Sequence, residues 1–431
     1  MPSEPLSTAP KRIAVIGGGI SGMAAGYLLS KTHHVTLFEG RKRLGGHART
    51  RIAGRNGDQP VDTGFIVYNE ANYPHLTKLF KDLDVPITES NMSFGASLNG
   101  GKLEYGLASM DSIFAQRRNL ANPKFVKMLR DIMRFNARAP KVSAGSDQSI
   151  SDFLKTLGTG KWFRDNYLLP MTGAIWSTPI HRMMDFPAEA MVRFMMNHGL
   201  MSYAGQHQWY TVQGGSIEYV RRLEATLKDQ GVTIRIGAPI KSVTRANDSV
   251  EILPRDGTVE YFDEVVFATH SDDSLAMLGD ASQAETAALS AVRYQPNEAI
   301  LHADERMMPK RRKVWSSWVY CEEADKTDEK IDLTYWMNSL QPIPHDDPMF
   351  VTLNSTRGIR EELIYDQTTF RHPVFDMAAL RSQETIRAMN GTNRTWFCGA
   401  WMKNGFHEDG FGSAVDVVDA INRTGMEKAA A

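Results

Sequence analysis

The sequence predicts an α/β fold: a Rossmann-type dinucleotide-binding domain joined to a second, α+β domain of helices and mixed sheet. Three observations predict it. Lys11 to Thr50 reads as strand, glycine turn, helix, strand and acid. From about Asn91 to Met201 the chain turns helical and methionine-rich. Short strands then alternate with loops at Ala299–His302, Val314–Cys321, Leu333–Asn338 and Met349–Asn354, which suggests a mixed or antiparallel sheet. At 431 residues the chain is long enough for two domains with separate cores.

The first element carries the most specific chemistry. Arg12 to Ile16 is an apolar strand, and Gly17, Gly19 and Gly22 form a G-x-G-x-x-G turn that opens a helix beginning Ile20-Ser21. Gly17 permits a tight turn, Gly19 lets backbone approach a pyrophosphate, and Gly22 lets helix pack close to strand. The helix N-terminus faces the phosphate charge. The second strand, Val35 to Glu39, ends in a carboxylate about 20 residues past the turn, where it can bond a ribose hydroxyl. Gly40 and Arg41 complete this group of candidate cofactor contacts.

Composition narrows the setting. A formal net charge of -1 supplies no field to attract nucleic acid, so no nucleic-acid partner is expected. The two cysteines, Cys321 and Cys398, cannot build a disulfide framework or a structural zinc site, and no metal ligand set is read from the sequence. A polar, proline-rich start, MPSEPLSTAPKR, lacks the apolar core of a signal peptide, and no apolar run is long enough to span a bilayer. A reducing, cytoplasmic location is the expectation.

Next in the chain, Arg51 to Pro60 is hairpin-like and Asn72 to Leu83 is helical. Half of the chain's 22 methionines fall between 91 and 201, with Met183, Met184, Met191, Met195, Met196 and Met201 close together; this suits an adaptable apolar cavity. Pro123 to Arg138 carries Phe125, Met128, Leu129, Ile132, Met133 and Phe135 on one face and five cations around the rest. Such a helix can lie on an anionic membrane, at the inner face in this case, with its apolar stripe among acyl chains. Ile217 to Gln230 reads as a helix, followed by strands Thr233–Ile236 and Ser242–Arg245. Phe262 to His270 reads as one buried strand.

Arg43-Leu44-Gly45-Gly46-His47-Ala48-Arg49-Thr50 places a second glycine pair just after Glu39, where a plain nicotinamide-binding unit has no use for one. This run resembles the second motif of the flavin amine oxidase and phytoene desaturase superfamily, in which FAD lies extended across the Rossmann unit. The resemblance implies FAD as cofactor, with Gly45, Gly46, His47 and the neighbouring arginines on its flavin side. It also implies that Thr63 and Gly64 approach the isoalloxazine, that Val243 sets its backbone against the adenine, and that Thr269 lies beneath the cofactor. It further implies a FAD-binding domain assembled from three segments, 1–90, 205–285 and 390–431, with 91–204 and 286–389 forming the substrate domain.

The C-terminal element, Trp396 to Ala414, resembles the last FAD motif of the superfamily, with Gly399, Gly410 and Phe411 in its glycine-rich turn. Where most members have Gly-Asp this chain has Gly399-Ala400, so Glu408 or Asp409 is expected to replace the missing carboxylate. Trp401, Phe406 and Phe411 are candidate aromatic walls. Amine oxidases of the superfamily usually carry a lysine on the first strand of the returning substrate sheet. Here Gln295 to Asp304 has none, and Glu298, His302 and, from the C-terminal turn, His407 are the base candidates, with Trp401 beside the reacting centre.

The runs VDTGFIVYNEANYPHLTKLF, WYTVQGGS and GFHEDGFGSA bear a closer resemblance, to bacterial FAD proteins linked to fatty-acyl modification, including furan fatty acid formation. They also resemble the flavoprotein-like N-terminal domain of plant cyclopropane fatty acid synthases. This implies an FAD-dependent oxidoreductase of an unsaturated or methyl-branched fatty-acyl chain. Hydride would leave an allylic carbon, giving desaturation or double-bond isomerisation, because an allylic position yields a delocalised cation that a site can stabilise. Two alternatives stand beside it: a flavin amine oxidase, and an FAD-stabilised partner that delivers lipid to an acyl methyltransferase.

Overall fold

A computed structural model describes residues 9–176, 184–197, 199–201, 207–246, 248–324 and 332–430. Residues 1–8 of the N-terminal tail and Met183 lie outside these.

The glycine turn follows the central strand of a five-stranded parallel sheet. Its order is Thr233–Ile236, His34–Glu39, Arg12–Ile16, Glu264–Phe267, Thr395–Phe397, so three distant stretches of chain contribute to one sheet. The inner strands Arg12–Ile16 and Glu264–Phe267 are near-continuous buried apolar runs because both faces are covered, whereas the edge strand Thr233–Ile236 is partly exposed. On one face helix Ile20–Leu29 packs between Ile217–Asp229 and His407–Ala430, burying Met23, Leu223, Leu227, Val417 and Ile421. The other face carries the antiparallel sheet Ile240–Arg245, Val250–Pro254 and Glu260–Phe262.

The run read as one strand from Phe262 to His270 is therefore two. It breaks at Asp263, whose N–H donates to the Arg12 carbonyl while its carboxylate accepts the Arg12 N–H at 2.6 Å. Glu260–Phe262 joins the antiparallel sheet, and Glu264–Phe267 joins the parallel one.

The second body is built on a seven-stranded mixed sheet, in the order Ile364–Val374, Arg293–His302, Phe350–Leu353, Leu333–Trp336, Trp318–Cys321, Phe94–Leu98, Leu103–Gly106. Only the Trp318–Cys321/Phe94–Leu98 pair is parallel. One face packs on the helical region, where Phe125, Met128, Phe135, Phe153, Met191 and Met195 are buried in one core with Ala299, Leu301 and Val351. Strand Trp209–Val212 pairs with both Val67–Asn69 and Ile87–Ser90, and Tyr68, Val85, Trp209 and Val212 pack in the core of the parallel-sheet body.

The basic amphipathic helix is longer than expected, Pro123–Ser143, and carries Pro140 in its last turn. Asn122 caps its start, accepting the Lys124 and Phe125 N–H groups. Its apolar stripe is not free for acyl chains of a bilayer. Phe125, Met128, Ile132 and Phe135 are buried in the core, and of the six apolar positions only Met133 is largely exposed. Two of its cations have internal partners, Lys127 with Asp131 at 2.6 Å and Arg134 with the Gly158 carbonyl at 2.8 Å.

Candidate functional site

One cavity of about 890 Å³ runs from the glycine turn of the parallel sheet into the helical part of the second body. Its first part is backbone. Gly17 has φ +111°, and a Cβ there would lie 2.7 Å from the Ala268 carbonyl oxygen; at Gly22 it would lie 1.7 Å from the Gly17 oxygen. Both glycines are required by packing. Gly19 is different: a Cβ there meets nothing closer than Gly46 Cα at 3.9 Å, because that side opens on the cavity. Gly19 leaves helix Ile20–Leu29 without a side-chain cap. The first N–H groups of a helix then need a partner from outside, and an anion supplies one.

The second glycine pair closes over the first turn, with the Gly45 N–H donating to Gly18 O at 2.8 Å. Arg43 holds this loop by donating to the carbonyls of Leu44, Gly46 and Ala48. Glu39 accepts the Gly18 and Arg41 N–H groups, each at 2.7 Å, so its carboxylate is fixed at the cradle's rim. Thr63 is held by its hydroxyl to the Arg49 carbonyl at 3.1 Å. At Gly64 a Cβ would lie 2.0 Å from the His47 oxygen. These features fit an extended dinucleotide: an uncapped helix start, an open glycine, and a fixed carboxylate.

Of the residues expected at the cofactor, Gly17, Gly19, Ile20, Ser21, Glu39, Arg41, Gly46, His47, Thr63, Gly64, Thr269 and Gly399 line the cavity. Gly22, Gly40 and Gly45 shape the turns behind it. Five residues are placed elsewhere. Val243 is fully buried and its carbonyl accepts the Gly279 N–H. Glu408 accepts the His75 and Leu76 N–H groups at 2.9 and 3.0 Å, capping helix Pro74–Asp82. Asp409 accepts the Phe406 N–H at 2.9 Å, and burial pushes its carboxyl up to about 6. Gly410 lets the C-terminal helix approach Ile20 and Ser21, and Phe411 packs in the core against the His75 ring. Neither acid replaces the missing carboxylate at the cavity wall.

The base candidates divide in the same way. Glu298 and His302 share one face of strand Arg293–His302, while the alternate residues Ala299 and Leu301 pack toward the helices. Glu298 meets Gln367 at 2.5 Å. His302 is buried with both ring nitrogens satisfied, Nδ1 accepting the Asp304 N–H and Nε2 bonded to Thr352 at 2.7 Å. Burial holds it down at about 4. Neither residue reaches the cavity.

His407 does line the cavity, stacked on Phe65 at 4.0 Å, but its Nε2 is tied to the Tyr219 hydroxyl at 2.6 Å. Trp401 also lines it and donates its indole N–H to the Thr269 carbonyl at 3.0 Å. Phe406 stacks on Phe194 at 4.7 Å, giving one aromatic wall.

Sequence reasoning named His47 and His407 but missed His270 and His372, which complete a histidine wall. His47, stacked on Phe370 at 4.9 Å, lies with its ring 6.0 Å from His270 and 5.6 Å from His372. Loss of solvent lowers all of them: His47 well below the usual imidazole range, His270 to about 3, His372 to about 4 and His407 to about 3. The cavity therefore presents neutral imidazoles at neutral pH. His270, Asp272 and Asp273 bring possible ligand atoms within 4.8 Å of one another, yet both carboxylates are engaged by Arg371.

Residues 20–350 match the model of the flavin-containing amine oxidoreductases. The chain belongs to that family. FAD is its cofactor, and it is a flavin-dependent oxidoreductase. Coproporphyrinogen III oxidase of Staphylococcus aureus is 22% identical over 286 residues, 60% of this chain and 60% of that protein. L-amino acid oxidase of Cerastes cerastes is 48% identical over 42 residues, 10% of this chain and 8% of that protein. The same fold occurs in a CLA-producing fatty acid isomerase from P. acnes, at 15% identity and TM-score 0.68, covering 98% of this chain and 99% of that one. It also occurs in a putrescine oxidase, at 15% identity and TM-score 0.69, covering 96% and 99%.

Proposed function

We propose that this oxidoreductase acts on an unsaturated or methyl-branched fatty-acyl chain at an allylic carbon, giving desaturation or double-bond isomerisation. The observation that carries this reading is the apolar branch of the cavity. Beyond the cradle it is lined by Ile113, Ile132, Met171, Ile175, Phe194 and Leu200, a mainly aliphatic and aromatic path with Asn136 and Tyr167 as polar exceptions, continuous with the cofactor end. An alkyl chain gains about 0.8 kcal/mol per buried CH₂ in such a path. When bound, FAD supplies the hydride acceptor that both outcomes need.

The chain's residues supply the rest. The Phe194–Phe406 stack and the branch keep water from the reacting carbon. Desaturation also needs a proton acceptor, and His47, whose buried Nε2 has no hydrogen-bond partner among the described residues, is the candidate. Isomerisation by return of hydride to another carbon needs none. The likeness to the P. acnes fatty acid isomerase agrees with this reading, and so does the absence of lysine from Gln295–Asp304.

The amine oxidase reading draws on the family and on the likeness to L-amino acid oxidases. Access to membrane lipid belongs to the same proposal. Among the described residues no helix is long and apolar enough to cross a membrane. Contact with an anionic surface would use the outward cations Lys124, Arg130 and Arg138 beside exposed Met133.

Anaerobic incubation with unsaturated phospholipids, free fatty acids and amines, read by flavin bleaching and by double-bond position in the recovered lipid, tests the reading. Bleaching or a shifted double bond with a lipid is expected. Bleaching by an amine alone would establish the amine oxidase instead. Full FAD occupancy with neither response would leave a lipid-delivering partner of a methyltransferase.

A further inference from the structure

A chain of side-chain amides runs from the strand backbone to the cavity wall, and its direction can be read from one end. The Glu298 backbone N–H can only donate, and it meets Asn354 Oδ1 at 3.0 Å. The other end of that amide is therefore Nδ2, which donates to Asn297 Oδ1 at 2.6 Å. Asn297 must then present its own Nδ2 to what remains, the Gln295 carbonyl at 3.4 Å and His372 Nδ1 at 2.9 Å. An amide nitrogen has no acceptor capacity, so His372 Nδ1 accepts through its lone pair. In a neutral ring the proton is then on Nε2.

Nε2 makes no hydrogen bond within the described residues, and His372 lines the cavity at the point where the ring cluster of His47 and Phe370 adjoins the cradle. Asn297 and Asn354 are buried, at 0% and 7% exposure, so water does not replace either amide. Asn354 holds its place with φ +51°, a left-handed conformation that asparagine adopts more readily than most residues.

We propose that His372 is a fixed hydrogen-bond donor of the site, locked as the Nε2–H tautomer by the positioning residues Asn297 and Asn354, and that it serves an uncharged or anionic acceptor atom of the bound ligand. The acceptor is either a carbonyl or ring nitrogen of the cofactor or a carboxyl or ester oxygen of the substrate. An alkylammonium group is excluded from this position, because it too carries only donors. Protonating the ring would set N–H against N–H at Asn297, so the relay opposes the imidazolium independently of burial. This assignment holds whichever substrate the cavity takes.

The test uses FAD-loaded protein labelled with ¹⁵N in its histidine rings, the His372 signals being those lost in His372→Gln. At pH 7 the wild type should show a protonated Nε2 and an unprotonated Nδ1. Asn297→Asp, nearly the same shape, offers only acceptor oxygens and should move the proton to Nδ1. That reversal should shift the flavin absorption bands or midpoint potential without substrate if the acceptor is on the cofactor. It should instead weaken binding of a long-chain carboxylate or ester about tenfold if the acceptor is on the substrate. A wild-type proton on Nδ1, or an imidazolium at pH 7, would overturn the assignment even if the variant failed to fold. A reversed tautomer that changes neither the flavin nor lipid affinity would overturn the donor role.

Discussion

The two walls of the cavity are made by opposite means. The cradle is backbone, folded within Arg12–Gly46, where glycines remove side chains so that N–H groups meet the ligand directly. The other wall is side chains. His47, His270, Phe370, His372 and Phe406 come from four separate places in the chain, and each is held by stacking or by one hydrogen bond. A backbone wall is indifferent to protonation but intolerant of an added Cβ. A side-chain wall accepts changes of volume more easily, yet its chemistry depends on which ring nitrogens carry protons.

The largest effect should come from the cradle. Gly22→Ala forces a Cβ into the Gly17 carbonyl oxygen and should destabilise the protein by more than about 3 kcal/mol in urea unfolding. Gly19→Val points instead into the open cavity. It should fold, with a loss within about 1 kcal/mol, and yet be purified without FAD. Normal flavin content in Gly19→Val, or wild-type stability in Gly22→Ala, would erase the distinction between packing and cofactor glycines.

The intermediate effect concerns the side-chain wall and pH. His270, His372 and His407 have folded values of about 3, 4 and 3 against 6.5, so the unfolded chain takes up their protons first as pH falls below 6.5. Stability from these rings is full above 6.5 and is lost toward pH 4. Asp62 and Asp409, raised from 3.8 to about 6 by burial, act in the opposite direction, favouring the folded state as pH falls from 6 toward 3.8. Three rings against two carboxyls leave a net loss of roughly 1.4 kcal/mol per pH unit between 6 and 4, to which His47 and the buried His302, held at about 4, add and from which the raised Glu408 subtracts. Urea midpoints at pH 7, 6 and 5 measure it. His372→Gln should flatten the slope, and a flat wild-type profile would show that the wall is not desolvated.

The smallest effect belongs to neither wall. Replacing Lys127, Arg130 and Arg134 together by Gln removes the exposed lysine's pair with buried Asp131 and the Arg134 bond to the Gly158 carbonyl, while the Gly160 N–H remains on the Asp131 carboxylate at 3.0 Å. A loss of about 0.5–1 kcal/mol with unchanged FAD content is expected from thermal unfolding. A loss of FAD would tie this outer face to the site.

By itself the sequence determined the cradle, because a glycine turn between a strand and a helix is local geometry, and local geometry is written in consecutive residues. It also determined the strands Arg12–Ile16, an apolar run, and Thr233–Ile236, where β-branched residues alternate with an arginine after a helix end; neither needs distant information. Which way a side chain faces was left to the tertiary structure. Glu298 and His302 lie together off the cavity because a strand alternates faces, and the parity that meets His372 belongs to Asn297. Glu408, Asp409 and Phe411 are absent from the cavity lining because each residue of a helix turns about 100° from the last, so a motif at a helix start does not say which members face the cavity. His372 lies in Ile364–Val374, an exposed-edge strand of mostly polar residues interrupted by Pro373, which has no hydrophobic period to reveal it. Only the pairing of that strand with Arg293–His302 brings the ring to Asn297, and with it the tautomer that the wall presents.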